Sequence, residues 1–231
     1  MKNLLEVDSA MVSFDDRKVL TGCYLKCETG DIIGILGRNG CGKSSLLKII
    51  FGTLFTYNKF IRINQKVYNH PYKHGNLIAY LPQHDFLPKN ISIEKIINVY
   101  LPNKTIRAKI SNDIRLKNHL KKRISELSGG ELRYLEIMLL VNLDTKFILL
   151  DEPFSKVEPL YKEVIAELIR QHRSTKGFII TDHDYTNIIA VSDRIILISD
   201  GISRPVTNLY ELEKWNYVPA GTFDKDGINL A

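Results

Sequence analysis

Two neighbouring carboxylates close an apolar run at Phe147-Ile148-Leu149-Leu150-Asp151-Glu152-Pro153. A pair so placed can divide its labour: Asp151 holds a hard cation through water, and Glu152 orients and polarises an attacking water as general base. Earlier in the chain, Gly37-Arg38-Asn39-Gly40-Cys41-Gly42-Lys43-Ser44 sets three glycines, an ammonium and a hydroxyl in one stretch. The glycines let the backbone curl until successive N–H groups face one concavity, which suits phosphate. Lys43 then reaches toward β- and γ-phosphates, and Ser44 offers an oxygen to Mg²⁺. In Leu127-Ser128-Gly129-Gly130-Glu131, Ser128 and Glu131 have the spacing of a capping box, and the two glycines leave the first N–H groups of the next helix open to an anion.

For these groups to meet, strands must deliver them to one edge of a sheet. Apolar, β-branched segments near Leu20–Glu28, Asp31–Leu36, Phe147–Leu150, Phe178–Thr181 and Arg194–Ser199 alternate with amphipathic stretches, a pattern that predicts a mainly parallel sheet. The glycine loop follows the strand Ile32–Leu36 and precedes the periodic Leu46-Leu47-Lys48-Ile49-Ile50, the strand–loop–helix context a phosphate loop requires. Residues 85–127 lack strong strand signals and read as short helices inserted in the α/β core, while the tail after Trp215 is weakly patterned.

A chain of 231 residues with 44% hydrophobic and 25% charged residues fits one α/β domain, or one with a small second lobe, and excludes collagen-like, coiled-coil and wholly disordered classes. Its apolar runs are far shorter than the roughly 20 residues of a membrane-spanning helix. The start Met1-Lys2-Asn3-Leu4-Leu5-Glu6 puts an acid where a signal peptide continues its apolar stretch, so a cytoplasmic location is expected. Three cysteines, an odd count, fit a reducing compartment. Cys23 and Cys27 lie in a segment that alternates like a strand, which separates their backbones by about 13 Å and precludes a shared disulfide or metal. Cys41 reads as a small loop residue.

The net charge of +6 is uneven: residues 59–123 hold 14 basic and 3 acidic side chains. In the densest part, Lys104–Arg123, Ile106, Ile110 and Ile114 recur at helical spacing. A solvated helix face and a surface that meets anionic lipid or nucleic acid both fit that composition.

The glycine loop, the segment Leu127–Glu131 and the run Phe147–Pro153, in that order, resemble the ATP-binding cassette of ABC transporters across nearly the whole chain. The resemblance implies an α/β fold: a P-loop NTPase core with a mainly parallel sheet over residues 1–84 and 128–215, an N-terminal antiparallel β subdomain, an inserted helical subdomain at 85–127 and a C-terminal tail at 216–231. It makes Gly37 to Ser45 the nucleotide loop. Phe14 corresponds to the aromatic that stacks on adenine, although a buried strand residue is an equal reading of that position. Gln83 corresponds to the Q-loop glutamine that can touch Mg²⁺, and His183 to the switch histidine that contacts the γ-phosphate and positions Glu152; the other five histidines read as surface residues.

The resemblance also implies a homodimer, or a pair with a closely related cassette, in which ATP on one chain's P-loop meets Ser128, Gly129, Gly130 and Glu131 of the other. Residues 85–127 would grip transmembrane permease subunits, holding the chain on the inner face of the membrane, with no site for the transported substrate and no role for nucleic acid. Departures are Glu158 where the D-loop has Asp, Ser45 where Thr is common, and Met138-Leu139-Leu140 where Ala-Arg-Ala is usual. Because Lys43, Ser44, Gln83, Ser128, Asp151, Glu152 and His183 are all present, ATP hydrolysis is expected. A soluble cassette ATPase of iron-sulfur assembly or nucleic-acid transactions is the rival reading; a P-loop GTPase is excluded, since the Asn-Lys-x-Asp guanine motif is absent.

Overall fold

A computed structural model of the chain describes residues 2–223. The chain opens with two long antiparallel strands, β1 (Leu4–Phe14) and β2 (Arg17–Glu28), followed by β3 (Ile32–Leu36) and helix α1 (Lys43–Phe51). Short strands β4 (Phe60–Ile63) and β5 (Lys66–Val67) extend the antiparallel part, and β6 (Ile78–Leu81) returns to the core. Helices α2 (Ile93–Tyr100), α3 (Lys104–Ser111) and α4 (Gly129–Val141) precede β7 (Phe147–Asp151); α5 (Pro159–His172), β8 (Gly177–Thr181), α6 (Tyr185–Val191), β9 (Arg194–Ser199), β10 (Ile202–Val206) and α7 (Glu211–Lys214) complete the order.

Among the described residues the ten strands form one curled sheet ordered β5-β4-β1-β2-β10-β9-β3-β8-β7-β6. Strands β9, β3, β8, β7 and β6 run parallel. In β3, β7 and β8 every residue is buried, because α1 covers one face and α4 to α6 the other; that is why these strands read as unbroken apolar runs. β1 alternates instead, and Ser9, at φ 53°, breaks its register between Val7 and Ala10. The apolar side of α1 (Leu46, Leu47, Ile49, Ile50) packs inside the curl against Leu5, Val7 and Leu25. Cys23 and Cys27 both face that interior as free thiols, and no cluster of His, Cys, Asp or Glu able to hold a metal occurs among the described residues.

The parallel register aligns the strands at their C-terminal ends. Leu81 pairs with Leu150, Asp151 with Thr181, and Thr181 with Ile35, so four strand ends share one edge. The loops that leave it carry Gly37–Gly42, Gln83, Glu152 and His183.

Three expectations need correction. The helical spacing of Ile106, Ile110 and Ile114 ends early: α3 stops at Ser111, the Asp113 carboxylate accepts from the Arg115 amide in a turn, and Ile114 is exposed while Ile110 is buried. The tail is structured as far as the description runs, with Val218 and Phe223 buried and Tyr185 edge-on to Phe223; residues 224–231 of the expected tail lie outside the described residues. Strands β1, β4, β5, β6 and β10 lie outside the segments that alternation and apolar runs single out. No helix among the described residues is long and apolar enough to cross a membrane.

Candidate nucleotide-binding site

The shared edge opens into a cleft of about 640 Å³ lined by Phe14, Arg17, Val19, Asn39, Gly40, Gly42, Lys43, Ser44, Ser45, Gln83, Glu152 and His183. Its floor is the glycine loop. Gly42, at φ 105°, starts α1 without any side-chain cap, so the first helical N–H groups face the cleft unblocked; a Cβ there would come within 2.7 Å of Leu20 and 2.9 Å of Val19. Lys43 is buried, its ammonium donating to the Gly37 carbonyl at 2.5 Å and to the Arg38 carbonyl at 3.4 Å.

Asp151 lies beneath, 1% exposed, and its carboxylate is held by three hydroxyls. Ser44 and Thr181 each donate to Oδ1 at 2.9 Å, and Tyr80 donates to Oδ2 at 2.9 Å. Burial and the adjacent Asp151 charge push the Tyr80 hydroxyl far up, keeping it a donor. Because Ser44 gives its hydrogen to Asp151, the lone pairs of its oxygen remain for a cation, and the donor set is all oxygen; that chemistry fits Mg²⁺.

Above the floor stands Glu152 in the left-handed region at φ 51°, a conformation that costs a non-glycine residue about 1–2 kcal/mol. Its amide donates to the Thr181 carbonyl at 3.0 Å and to Thr181 Oγ1 at 3.2 Å, which fixes the turn. The Gln83 amide donates to Glu152 Oε2 at 2.9 Å. His183 Nδ1 lies 3.8 Å from the same oxygen and 3.5 Å from Asp182 Oδ1, with half of its side chain in solvent. Asp182 is fully buried; burial pushes its carboxyl up, while the Asp184 amide and His183 pull it back.

Phe14 is 48% exposed at the end of β1 on the cleft rim, so the buried-strand reading of it is wrong. Two loop residues turn their side chains away: Arg38 donates to the Asn216 carbonyl at 2.7 Å, and Cys41 shares with it a second cleft beside Leu197, Trp215 and Tyr217. Burial pushes the Cys41 thiol up. Only the backbone of Arg38 and Cys41 can serve the main cleft.

Ser128, Gly129, Gly130 and Glu131 do not line it. Ser128 caps α4, its hydroxyl accepting from the Glu131 amide at 3.3 Å while its own amide donates to Glu131 at 2.8 Å. That second bond holds the Glu131 carboxyl below its usual range. Gly129 is exposed, but Gly130 is buried, and a Cβ there would lie 2.8 Å from the Tyr161 ring on α5, so Gly130 also serves packing. Tyr80, Thr181, Asp182 and Arg17 escaped the sequence reading. Tyr80 sits three residues before Gln83 and Thr181 two before His183, each on the strand that feeds a noted loop, which is the one signal they give.

The family model for ABC transporters matches residues 20–155. This chain belongs to that family. Relatives of the cassette include the spermidine/putrescine import ATP-binding protein PotA of Mycoplasma mycoides subsp. mycoides, 26% identical over 99% of this chain and 70% of that protein. An uncharacterized ABC transporter ATP-binding protein of Rhizobium meliloti is 33% identical over 82% of this chain and 74% of its own length. A solved structure of the ATP binding subunit of an ABC transporter shares the fold at a TM-score of 0.80 with 20% identity, covering 94% of this cassette and 95% of that chain.

Proposed function

We propose that this cassette binds ATP with Mg²⁺ and hydrolyses it as the energy-supplying subunit of a transporter whose membrane-spanning permease is a separate chain. The observation that carries the reading is convergence: Lys43, Ser44, Gln83, Glu152 and His183 line one cleft, with Asp151 directly beneath Ser44.

In this reading the Lys43 ammonium and the N–H groups at the start of α1 bind the β- and γ-phosphates, and Phe14 offers its exposed ring to adenine. Ser44 and Gln83 would hold Mg²⁺, with Asp151 behind Ser44, and the ion would neutralise charge developing on the phosphoryl oxygens. The Glu152 carboxylate takes a proton from the attacking water at Oε2, the oxygen already facing Gln83 and His183. Catalysis of this kind is mainly positioning, so the groups that aim Glu152 matter as much as its basicity.

Ser128–Glu131 stand outside the cleft of their own chain, which supports a pairing in which each chain lends that segment to its partner's nucleotide; binding then closes the pair and hydrolysis opens it. Residues 85–127, basic and partly apolar, are the surface for the permease, which would hold the cassette on the cytoplasmic face of the membrane. Replacement Glu152→Gln tests the assignment: ATP binding should persist while turnover drops about 10²- to 10⁴-fold. Wild-type turnover in that variant would refute it.

A further inference from the structure

Among the buried charges that this mechanism leaves unused are Arg133 and Glu136, one turn apart on α4 and almost wholly shielded from solvent. An exposed pair at this spacing would add little to a helix, but a buried one needs partners on every side. Its partners are backbone atoms of one short segment. Arg133 donates through Nη1 to the Pro82 carbonyl at 3.0 Å and through Nη2 to the Gln83 carbonyl at 2.7 Å, and the Phe86 amide donates to Glu136 Oε1 at 2.8 Å. The second carboxylate oxygen accepts from Arg133 Nη1 at 3.1 Å. Burial pushes the Glu136 carboxyl up, and the Phe86 amide and Arg133 draw it down.

Three bonds from α4 therefore hold the main chain from Pro82 to Phe86, and within that segment lies Gln83, whose side chain touches Glu152. The side chains of Gln83, His84 and Asp85 are exposed, and besides these bonds the segment is held at its far end by the Phe86 ring, which packs against the core beside Tyr100. The same helix starts at its Ser128 cap, little more than one turn before Arg133.

We propose that Arg133 and Glu136 are positioning residues for hydrolysis: they clamp Pro82–Phe86 to α4, so that the place of Gln83 against Glu152 follows any movement of that helix. A partner's nucleotide engaging Ser128 would then be felt at the hydrolytic carboxylate of the same chain. The inference rests on the reading of the cassette as an ATP hydrolase, and it assigns the pair no contact with substrate.

The test compares ATPase kinetics of four chains: wild type, Gln83→Ala, Arg133→Met/Glu136→Leu, and all three changes together. Apolar side chains of similar volume are the replacement a buried ion pair tolerates best. The pair variant should lose about tenfold in kcat with KM for ATP within about twofold, and the triple variant should fall no more than about twofold below Gln83→Ala, because both changes remove the same contact. Losses that multiply, or a pair variant with wild-type kcat, would overturn the proposal. Arg133→Lys, which keeps the charge but reaches one carbonyl, guards against misfolding of the apolar pair: about threefold loss alone and none beside Gln83→Ala is expected, and equal loss in both backgrounds sinks the clamp. A wild-type chain without ATPase activity would remove the hydrolase reading and this proposal with it.

Discussion

The floor and the rim of the cleft are built differently. On the floor, the Asp151 carboxylate is buried and held by three hydroxyls from two neighbouring strands and the start of α1. On the rim, Phe14 and Gln83 are exposed, His183 Nδ1 stands 3.8 Å from Glu152 Oε2, and the Gln83 side chain is tied to the same oxygen at 2.9 Å. Groups that grip a constant feature, the phosphates and their cation, can be locked in advance. In the proposed pairing, the groups that act only when a second surface arrives are less tightly held, and the proposed clamp of Arg133 and Glu136 sets their placement.

This contrast can be pressed from either side. Lys43→Ala removes the cationic group of the floor and should weaken ATP binding by about a hundredfold or more, since a buried charge-assisted contact is worth about 3 kcal/mol; equilibrium binding of a fluorescent ATP analogue measures it, and unaltered affinity would take Lys43 out of the site. Tyr80→Phe deletes one hydroxyl from Asp151 without changing shape. The Mg²⁺ concentration for half-maximal ATPase activity should rise about 10- to 100-fold, the usual cost of losing a partner of a metal-holding carboxylate. A Mg²⁺ titration that matches wild type would show that the floor is not locked in the way described.

Rim changes should be milder. Phe14→Ala should raise KM for ATP about fivefold, the low end of base stacking for a half-exposed ring, while Phe14→Tyr stays near wild type. Equal behaviour of Ala and Tyr would exclude stacking. The smallest effect concerns Asp182, buried under the rim. Its folded pKa is raised by burial, so the folded state favours the protonated form; the associated stability is full at acid pH and is lost as pH rises through the folded value. Asp182→Asn should therefore melt higher than wild type at pH 7, with the gap shrinking as pH falls toward about 4. A gap that widens on acidification would reverse the assignment of burial as the dominant influence on this carboxyl.

How much of this was legible in the chain depends on whether a group's partners lie near it in sequence. Gly37–Ser44 and Phe147–Glu152 could be read directly, because strand, turn and functional side chain are contiguous and the strands are apolar throughout. Tyr80 could not, since its partner Asp151 lies 71 residues away and only the parallel pairing of β6 with β7 brings them together. Arg133 is separated from Pro82 by 51 residues and looks like one more charged helix residue until the fold buries it. β1 was obscured by Ser9, which shifts the alternation midway along the strand. The span Lys104–Arg123 misled in the other direction: three isoleucines keep helical spacing, but the local Asp113 turn outcompetes the next helical turn. Phe14, placed by resemblance, needed the rim geometry before its two readings could be separated.

In the proposed pairing, ATP is shared between two copies, each supplying a cleft and a Ser128 cap. The direct measurement is the mass of the Glu152→Gln chain by analytical ultracentrifugation with and without Mg²⁺-ATP. A shift from monomer to dimer on adding nucleotide, abolished by Ser128→Arg, is the predicted result. A species that stays monomeric at saturating ATP would contradict the account.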